Sequence, residues 1–405
     1  MNERHNAWRM RLSAFSVVWL IVTSGGVFFN SQSMIPITLI FNVALVILML
    51  FSVPSRRLAH MANEWSVLAL LVVLVVICVM ANGDYASFLS YARLCLTLVL
   101  AFSVCALVPA PTFARVFVIT VVVISAFSLV LFYTDLVGSY SSLFPVIEFY
   151  QNNYINAFVY LSLDGLENRN LAIFIEPGLF QIYINVALFL VLFSGREFRY
   201  KFAVVLLLIA TLYSTNSTTG FILGVLIVGG FAALRKTKEK AVVPVVVNFF
   251  IGASVVAGVL GSELFVENIE NKFSGDGQKS FITRQNSTLI DLILIERSPL
   301  VGGGVGSYQD SLSQLDNGGL EIDAATNTFS QLGAIVGIPF LFIVLFRSVL
   351  YFLRSGLGLP GSVILVVIYL VSFSTEPFVL YPFFYVPVFM GRLGLGRDRS
   401  SNFVE

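Results

Sequence analysis

The sequence predicts an all-α, polytopic integral membrane protein with about twelve transmembrane helices and two long extracytoplasmic loops. Three observations carry that reading. Hydrophobic residues fill 57% of the 405 positions and charged residues 12%, whereas soluble domains average roughly 25% charged residues. The mean hydropathy of +0.89 leaves too little polar side chain to cover a particle of this size in water. Apolar runs near the ~20 residues that cross a hydrocarbon core recur along the whole chain. The 24 Lys and Arg against 23 Asp and Glu leave a net charge of +1. That balance excludes a strongly basic nucleic-acid binder, and the apolar content excludes a disordered chain.

Taken in order, the candidate spans lie near 13–29, 34–53, 65–81, 87–108, 113–133, 171–193, 202–216, 217–234, 241–260, 327–350, 359–374 and 377–391. The pairs 202–234 and 359–391 are tight enough to read alternatively as re-entrant hairpins. Each pair enters and leaves on one side, so either reading preserves the orientation. Arg4, Arg9 and Arg11 precede the first run, but no small-residue cleavage site follows, and the run is expected to stay as an anchor. Of the Lys and Arg, only Arg93, Arg169, Lys272, Lys279, Arg284 and Arg297 fall on the side away from the termini. The positive-inside rule therefore makes both termini cytoplasmic.

The two long connections, 134–170 and 261–326, are then extracytoplasmic. Loops beyond about 12–15 residues usually serve function or lack order; these carry aromatic and aliphatic residues throughout, so folded caps over a single membrane domain are expected. Within the second, TRQNSTLIDLILIER (283–297) reads as a helix with Thr283 as N-cap. Pro299 and Gly302, Gly303, Gly304 and Gly306 would end it. Cys78, Cys95 and Cys105 lie inside apolar runs without metal-ligand spacing and read as packing residues.

Ionisable residues at membrane depth are costly, which makes Arg93 and Glu176 the first chemical candidates. Arg93 stands roughly 9 Å into its span, and Glu176 roughly 8 Å into the span 171–193. Arg93 reads as a phosphate ligand reached from outside, as half of a structural ion pair, or as a side chain snorkelling to the headgroups. Glu176 precedes Pro177, expected to kink the helix, and reads as a catalytic base or as an acid neutralised by Arg93 or Arg169. Arg169, Arg284 and Arg297 are rare exterior cations whose planar forks suit phosphate or carboxylate, although lone exterior arginines are commonly just solvated.

His5 and His60 are the sole histidines, both on the cytoplasmic side. An exterior acid–base step would need a carboxylate, a tyrosine or the substrate itself. The carboxylates nearest an outer helix end are Glu176, Asp323 and Glu376, with Asp323 just ahead of Thr326 and Asn327, which open the span 327–350. GGGVGS (302–307) lacks the Lys of a nucleotide loop and reads as a turn. No metal motif appears in the exterior segments, so neither metal nor cofactor is expected.

Three segments, in order, carry a family likeness. NRNLAIFIEPGLFQIYINVALFL (168–190) places an Arg ahead of a helix with an acidic-Pro pair. LYSTNSTTGFILGVLIVG (212–229) forms a polar turn between short helices. Arg284, ERSPLVGGGVGSY and ATNTFSQLGAIVGIP complete the order. This arrangement resembles the O-antigen and exopolysaccharide polymerase/ligase superfamily over roughly residues 165–390. Thr218 stands where that family often has a basic residue, and Thr326 where its ligase branch carries a His.

The resemblance implies a GT-C-like, metal-independent glycosyltransferase of the bacterial inner membrane. It would join polyprenyl-diphosphate-linked oligosaccharide repeats, as of undecaprenyl diphosphate, into O-antigen, capsule or exopolysaccharide on the outer leaflet. The implied partners are those substrates, membrane lipids, a flippase and a chain-length regulator, with no nucleic acid. Arg169, Arg284 and Arg93 are expected to converge with the base Glu176 beneath the exterior loops, with Asn327 as a further substrate ligand and Asp323 as the fallback base. A ligase of finished glycan is the nearer alternative, and a solute transporter the alternative of another class; transporter sites usually lie at the bilayer midplane.

Overall fold

Apolar runs become helices, and the glycines and prolines between them become breaks, in a computed structural model that describes residues 2–149, 152–163, 168–194, 200–234, 276–316 and 327–390. The first helices are α1 (Asn2–Thr23), the single turn α2 (Val27–Asn30), α3 (Ile35–Ser52), α4 (Ser55–His60), α5 (Ala62–Asn82), α6 (Phe88–Leu107) and α7 (Ala110–Thr134). A turn, α8 (Leu136–Ser139), leads to strands β1 (Val146–Phe149), β2 (Asn152–Asn156) and β3 (Leu161–Leu163). Then come α9 (Pro177–Phe193), α10 (Lys201–Ser214), α11 (Thr218–Leu234), α12 (Asp276–Arg297) and α13 (Gly304–Asp316). The last are α14 (Thr328–Val336), α15 (Ile338–Leu353), α16 (Gly358–Ser374) and α17 (Pro382–Phe389).

Four of these, α3, α5, α6 and α7, are long and apolar enough to cross a membrane, while α9, α10, α11, α15 and α16 are shorter apolar helices. Their outer faces carry large apolar side chains such as Ile40, 72% exposed, and Phe51, 88% exposed. Hydrocarbon solvates such surface and water does not. The chain is a helical membrane protein. The count of twelve spans is corrected: among the described residues, four helices meet the length and hydropathy required.

The breaks explain the difference. The run 327–350 divides at Gly337, whose φ of +102° caps α14 and starts α15. The run 377–391 yields only the eight residues of α17, with Pro382 in its first turn and Pro387 inside it. The run 171–193 becomes helical only at Pro177, which opens α9 instead of kinking it. Residues ahead of it pair in extended form with 25–27: Val27 N–H donates to Ile173 O at 3.1 Å, and Ile175 N–H to Gly25 O at 3.0 Å. The candidate span 241–260 lies outside the described residues.

α9 is largely apolar and buried along nearly its whole length, and its polar pair bonds inside the bundle, Asn185 donating to Gln181 Oε1 at 2.8 Å and to Gly220 O at 3.2 Å. It lies among α7, α10, α11 and α16, while α17 fills the space between α6 and α15. At one end of the molecule the basic residues satisfy helix termini. Arg57 donates to the carbonyls of Cys105, Leu107 and Val108 at 3.0–3.2 Å, Arg9 to Ser52 O at 2.8 Å, and Arg347 pairs with Glu64 at 3.4 Å.

The opposite end carries the first long connection, and here the all-α expectation is corrected. Residues 146–163 form an antiparallel β1-β2-β3 meander with Val146 opposite Ile155 and Tyr154 opposite Leu163. Its Phe149, Tyr154, Leu161 and Leu163 bury against Val27 and Ile175. Tyr154 OH donates to Ile175 O at 3.2 Å, so the sheet is a lid seated on the backbone just before Glu176.

The glycine-rich segment after α12 is a clasp. Gly303 N–H donates to Ala334 O at 2.7 Å and Ile338 N–H to Pro299 O at 2.8 Å; Cys78 Sγ meets Ile335 O at 3.1 Å, and Asn82 meets Gly302 O at 3.2 Å. Gly302 has φ +70°, and a Cβ there would stand 2.3 Å from Ile335 O. Gly304 then begins α13, so the expected turn spans fewer residues than GGGVGS. Gly302→Ala should therefore cost several kcal/mol, because a positive φ and a backbone clash combine. The yield of monodisperse protein in detergent should collapse for Gly302→Ala and persist for Gly303→Ala, whose Cβ would meet the Leu294 side chain at 3.3 Å and nothing closer. Equal yields would contradict the clasp.

Candidate functional site

Two Glu-Pro dipeptides meet at the sheet-covered end. Pro177 occupies the first position of α9, leaving Glu176 as its N-cap residue in extended backbone (φ −141°, ψ 152°) with an exposed side chain. Glu376, ahead of Pro377 in the turn between α16 and α17, is only 4% exposed. Its backbone is tied down by Thr328, whose hydroxyl donates to Glu376 O and accepts from Phe378 N at 2.7 Å. The Glu376 carboxyl rests on the first turn of α9 so closely that a Cβ on Gly178 would lie 1.9 Å from Oε1. Glycine here is a condition of the approach.

Two arginines complete the cluster. Arg169 leaves the loop before α9, and its Nε donates to Thr215 O at 3.3 Å. Neighbouring Asn170 locks that loop to α7 through Ser128 Oγ at 3.1 Å and to the end of α10 through Ser214 Oγ at 3.0 Å. Arg284 projects from α12 and donates to Thr375 O at 3.3 Å. Arg169 and Arg284 both act electrostatically on Glu376, and Glu176 lies within hydrogen-bonding reach of it.

Burial raises the Glu376 carboxyl to about 8, with Glu176 adding to the rise and Arg284 and Arg169 opposing it. Burial also lowers the Arg169 guanidinium from its ordinary value, while Glu176 and Glu376 support its charge; arginine stays protonated regardless. At neutral pH Glu376 therefore keeps its proton. Two guanidinium groups then face about one negative charge, and the cluster is left net positive. It can bind an anion and hold a base beside it.

The structure thus brings Arg169, Arg284 and Glu176 together and adds Glu376, which sequence reading names among the exterior carboxylates without giving it a role. The repeated Glu-Pro at 176–177 and 376–377 is the signal that could have paired them. Arg93 lies apart, its guanidinium donating to Asn30 Oδ1 at 2.7 Å in a recess between α1, α3 and α6. Glu176 is at a helix mouth, not inside a helix. Asn327 is the N-cap of α14, its Oδ1 accepting from Phe329 N at 2.9 Å and Ser330 N at 3.3 Å. Asp323 and Thr326 lie outside the described residues. Among the described residues no group of three or more His, Cys, Asp or Glu could hold a metal.

Behind Arg284, two turns along α12, lies a second acid. Asp291 is fully buried, accepts from the Ser330 hydroxyl through Oδ2, and stands beside Tyr308. Burial raises its carboxyl to about 7, against the pull of the Ser330 and Tyr308 hydroxyls. From about pH 4 the unfolded chain ionises Asp291 while the fold keeps its proton. Stability therefore falls as pH rises to about 7, by at most roughly 4 kcal/mol. Asp291→Asn should remove that slope, melting like the parent at pH 4 and above it at pH 8. Parallel melting curves across the window would contradict a buried, protonated Asp291.

No protein-family model matches the chain, and no curated protein matches it significantly.

Proposed function

We propose that the protein is a glycosyltransferase of the outer leaflet of the bacterial inner membrane, GT-C-like in architecture, that polymerises polyprenyl-diphosphate-linked oligosaccharide repeats. One observation carries the reading: Arg169 and Arg284 flank the Glu176–Glu376 pair, leaving a net-positive site with a base in it. With both termini cytoplasmic, the sheet-covered end faces outward, where lipid-linked repeats are delivered.

An acceptor hydroxyl attacks the anomeric carbon of the donor sugar as Glu176 takes its proton. The anomeric C–O bond breaks, and its electron pair leaves with the polyprenyl diphosphate. Charge grows on that leaving group in the transition state, and the two arginine forks stabilise it there. Glu376, neutral at pH 7, leaves the positive charge uncancelled.

Purified protein incubated with lipid-linked repeats alone should produce a ladder of extended glycans. Product formed only after a second, unrelated acceptor is added would make it a ligase, and absence of transfer would remove the glycosyltransferase reading. Cells lacking the protein should accumulate single lipid-linked repeats.

A further inference from the structure

The Arg93 recess belongs to none of this machinery. It is a small recess, open on one side, among α1, α3, α6 and the turn before α17. Arg93 stands in its wall, half-buried in the second turn of α6. Among the described residues its one hydrogen bond goes to the neutral amide oxygen of Asn30, and no carboxylate pairs with it.

The rest of the wall cannot supply a counter-charge. Thr38 and Thr97 spend their hydroxyl protons on Phe29 O at 3.0 Å and Leu380 O at 3.2 Å; Leu39, Leu96 and Leu100 are apolar. Around it, Phe28, Ile37 and Leu89 present exposed apolar side chains, so the flanks are suited to acyl chains. An arginine near the end of a membrane helix is expensive unless its charge meets an anion or reaches the headgroups. A guanidinium with unused N–H groups, set in an apolar groove, matches a phosphate joined to a lipid tail.

We infer that this recess binds the phosphate head of an anionic lipid, at a site separate from the Arg169–Arg284 cluster. Two sources share that chemistry: a bulk phospholipid such as phosphatidylglycerol, and a polyprenyl diphosphate waiting as second substrate. The site itself does not depend on the polymerase reading; only the second source does.

The test measures saturable binding of phosphatidylglycerol, polyprenyl diphosphate and inorganic phosphate to the full-length protein in a neutral detergent, by native mass spectrometry. All variants are built on Arg284→Gln, which weakens the first anion site. Arg93→Gln keeps a donor for Asn30 but loses the charge. Leu39→Trp keeps Arg93 and fills the recess, so it remains informative if Arg93→Gln does not fold. Each should weaken one of the two lipids tenfold or more, and the lipid affected identifies the source. Unchanged binding of both lipids overturns the inference, and so does Arg93-dependent capture of inorganic phosphate with neither lipid. Loss of the recess lipid with glycan transfer absent from the parent protein would leave this site standing and remove the polymerase reading alone.

Discussion

Glu176→Gln is expected to abolish chain extension at every pH, whereas Glu376→Gln is expected to keep it and lose its alkaline limit. Glu176 is the exposed member of the pair, so it is the one an acceptor hydroxyl can reach. Removing a general base costs on the order of 10²–10⁴ in rate. Glu376 is buried and raised to about 8, so at neutral pH its amide replacement copies the protonated form. In the parent protein, rising pH through about 8 ionises it and adds negative charge beside the two arginines that the proposed reaction uses. Rate should then fall as pH climbs past 8. In Glu376→Gln that fall should vanish, since the residue has nothing to lose. Ladder intensity against pH, at matched protein abundance, decides the matter. Near-normal ladders for Glu176→Gln would mean the base lies elsewhere, with Asp323 as the next carboxylate to replace. A fall at pH 8 that survives in Glu376→Gln would assign it to another group.

Arg284→Lys should lose most activity, on the order of 10²-fold, with little change in protein abundance. Lysine retains the charge but offers a point donor where the leaving diphosphate requires a planar fork, and the loss falls on the transition state, where charge grows. The expected signature is a lower kcat with KM for the lipid-linked repeat changed far less. Arg284 makes one backbone contact, to Thr375 O at 3.3 Å, and the lysine side chain can reach the same carbonyl. Arg169→Ala should behave differently, costing abundance as well, because Arg169 joins the loop before α9 to the turn after α10. Wild-type turnover by Arg284→Lys would reduce Arg284 to a structural residue.

Much of the architecture is legible in the chain because lipid is an unforgiving solvent. A backbone in hydrocarbon must satisfy its own hydrogen bonds, so apolar runs such as 65–81 and 113–133 can hardly be anything but helix. Helix α12 was legible in its core and its end but not its start: it runs Asp276–Arg297, so Thr283, expected as the N-cap, lies inside it. The meander at 146–163 was not. Its strands are three to five residues long, and their pairing rests on contacts with Val27 and Ile175 that no local pattern announces. The start of α9 was missed for a related reason: LAIFIE is apolar enough to continue a helix, yet it pairs as an extended segment with residues 25–27.

Of the candidate site, the residue types and their order were legible: few cations in the two long connections, no histidine there, and an acid before a proline. Hydropathy and charge placement by themselves determined that this is a helical membrane protein, because transfer from water to lipid is set by each side chain separately. Which charges meet was decided by the tertiary structure alone. Residues 169, 176, 284 and 376 span more than half the chain, and Glu376 joins Glu176 only because Gly178 has no side chain to keep them apart. Arg93, at a depth that invited grouping with them, was drawn off by Asn30 into a recess of its own. Depth along a helix can be counted from the sequence, but the direction in which a side chain faces depends on its neighbours, and only packing supplies those.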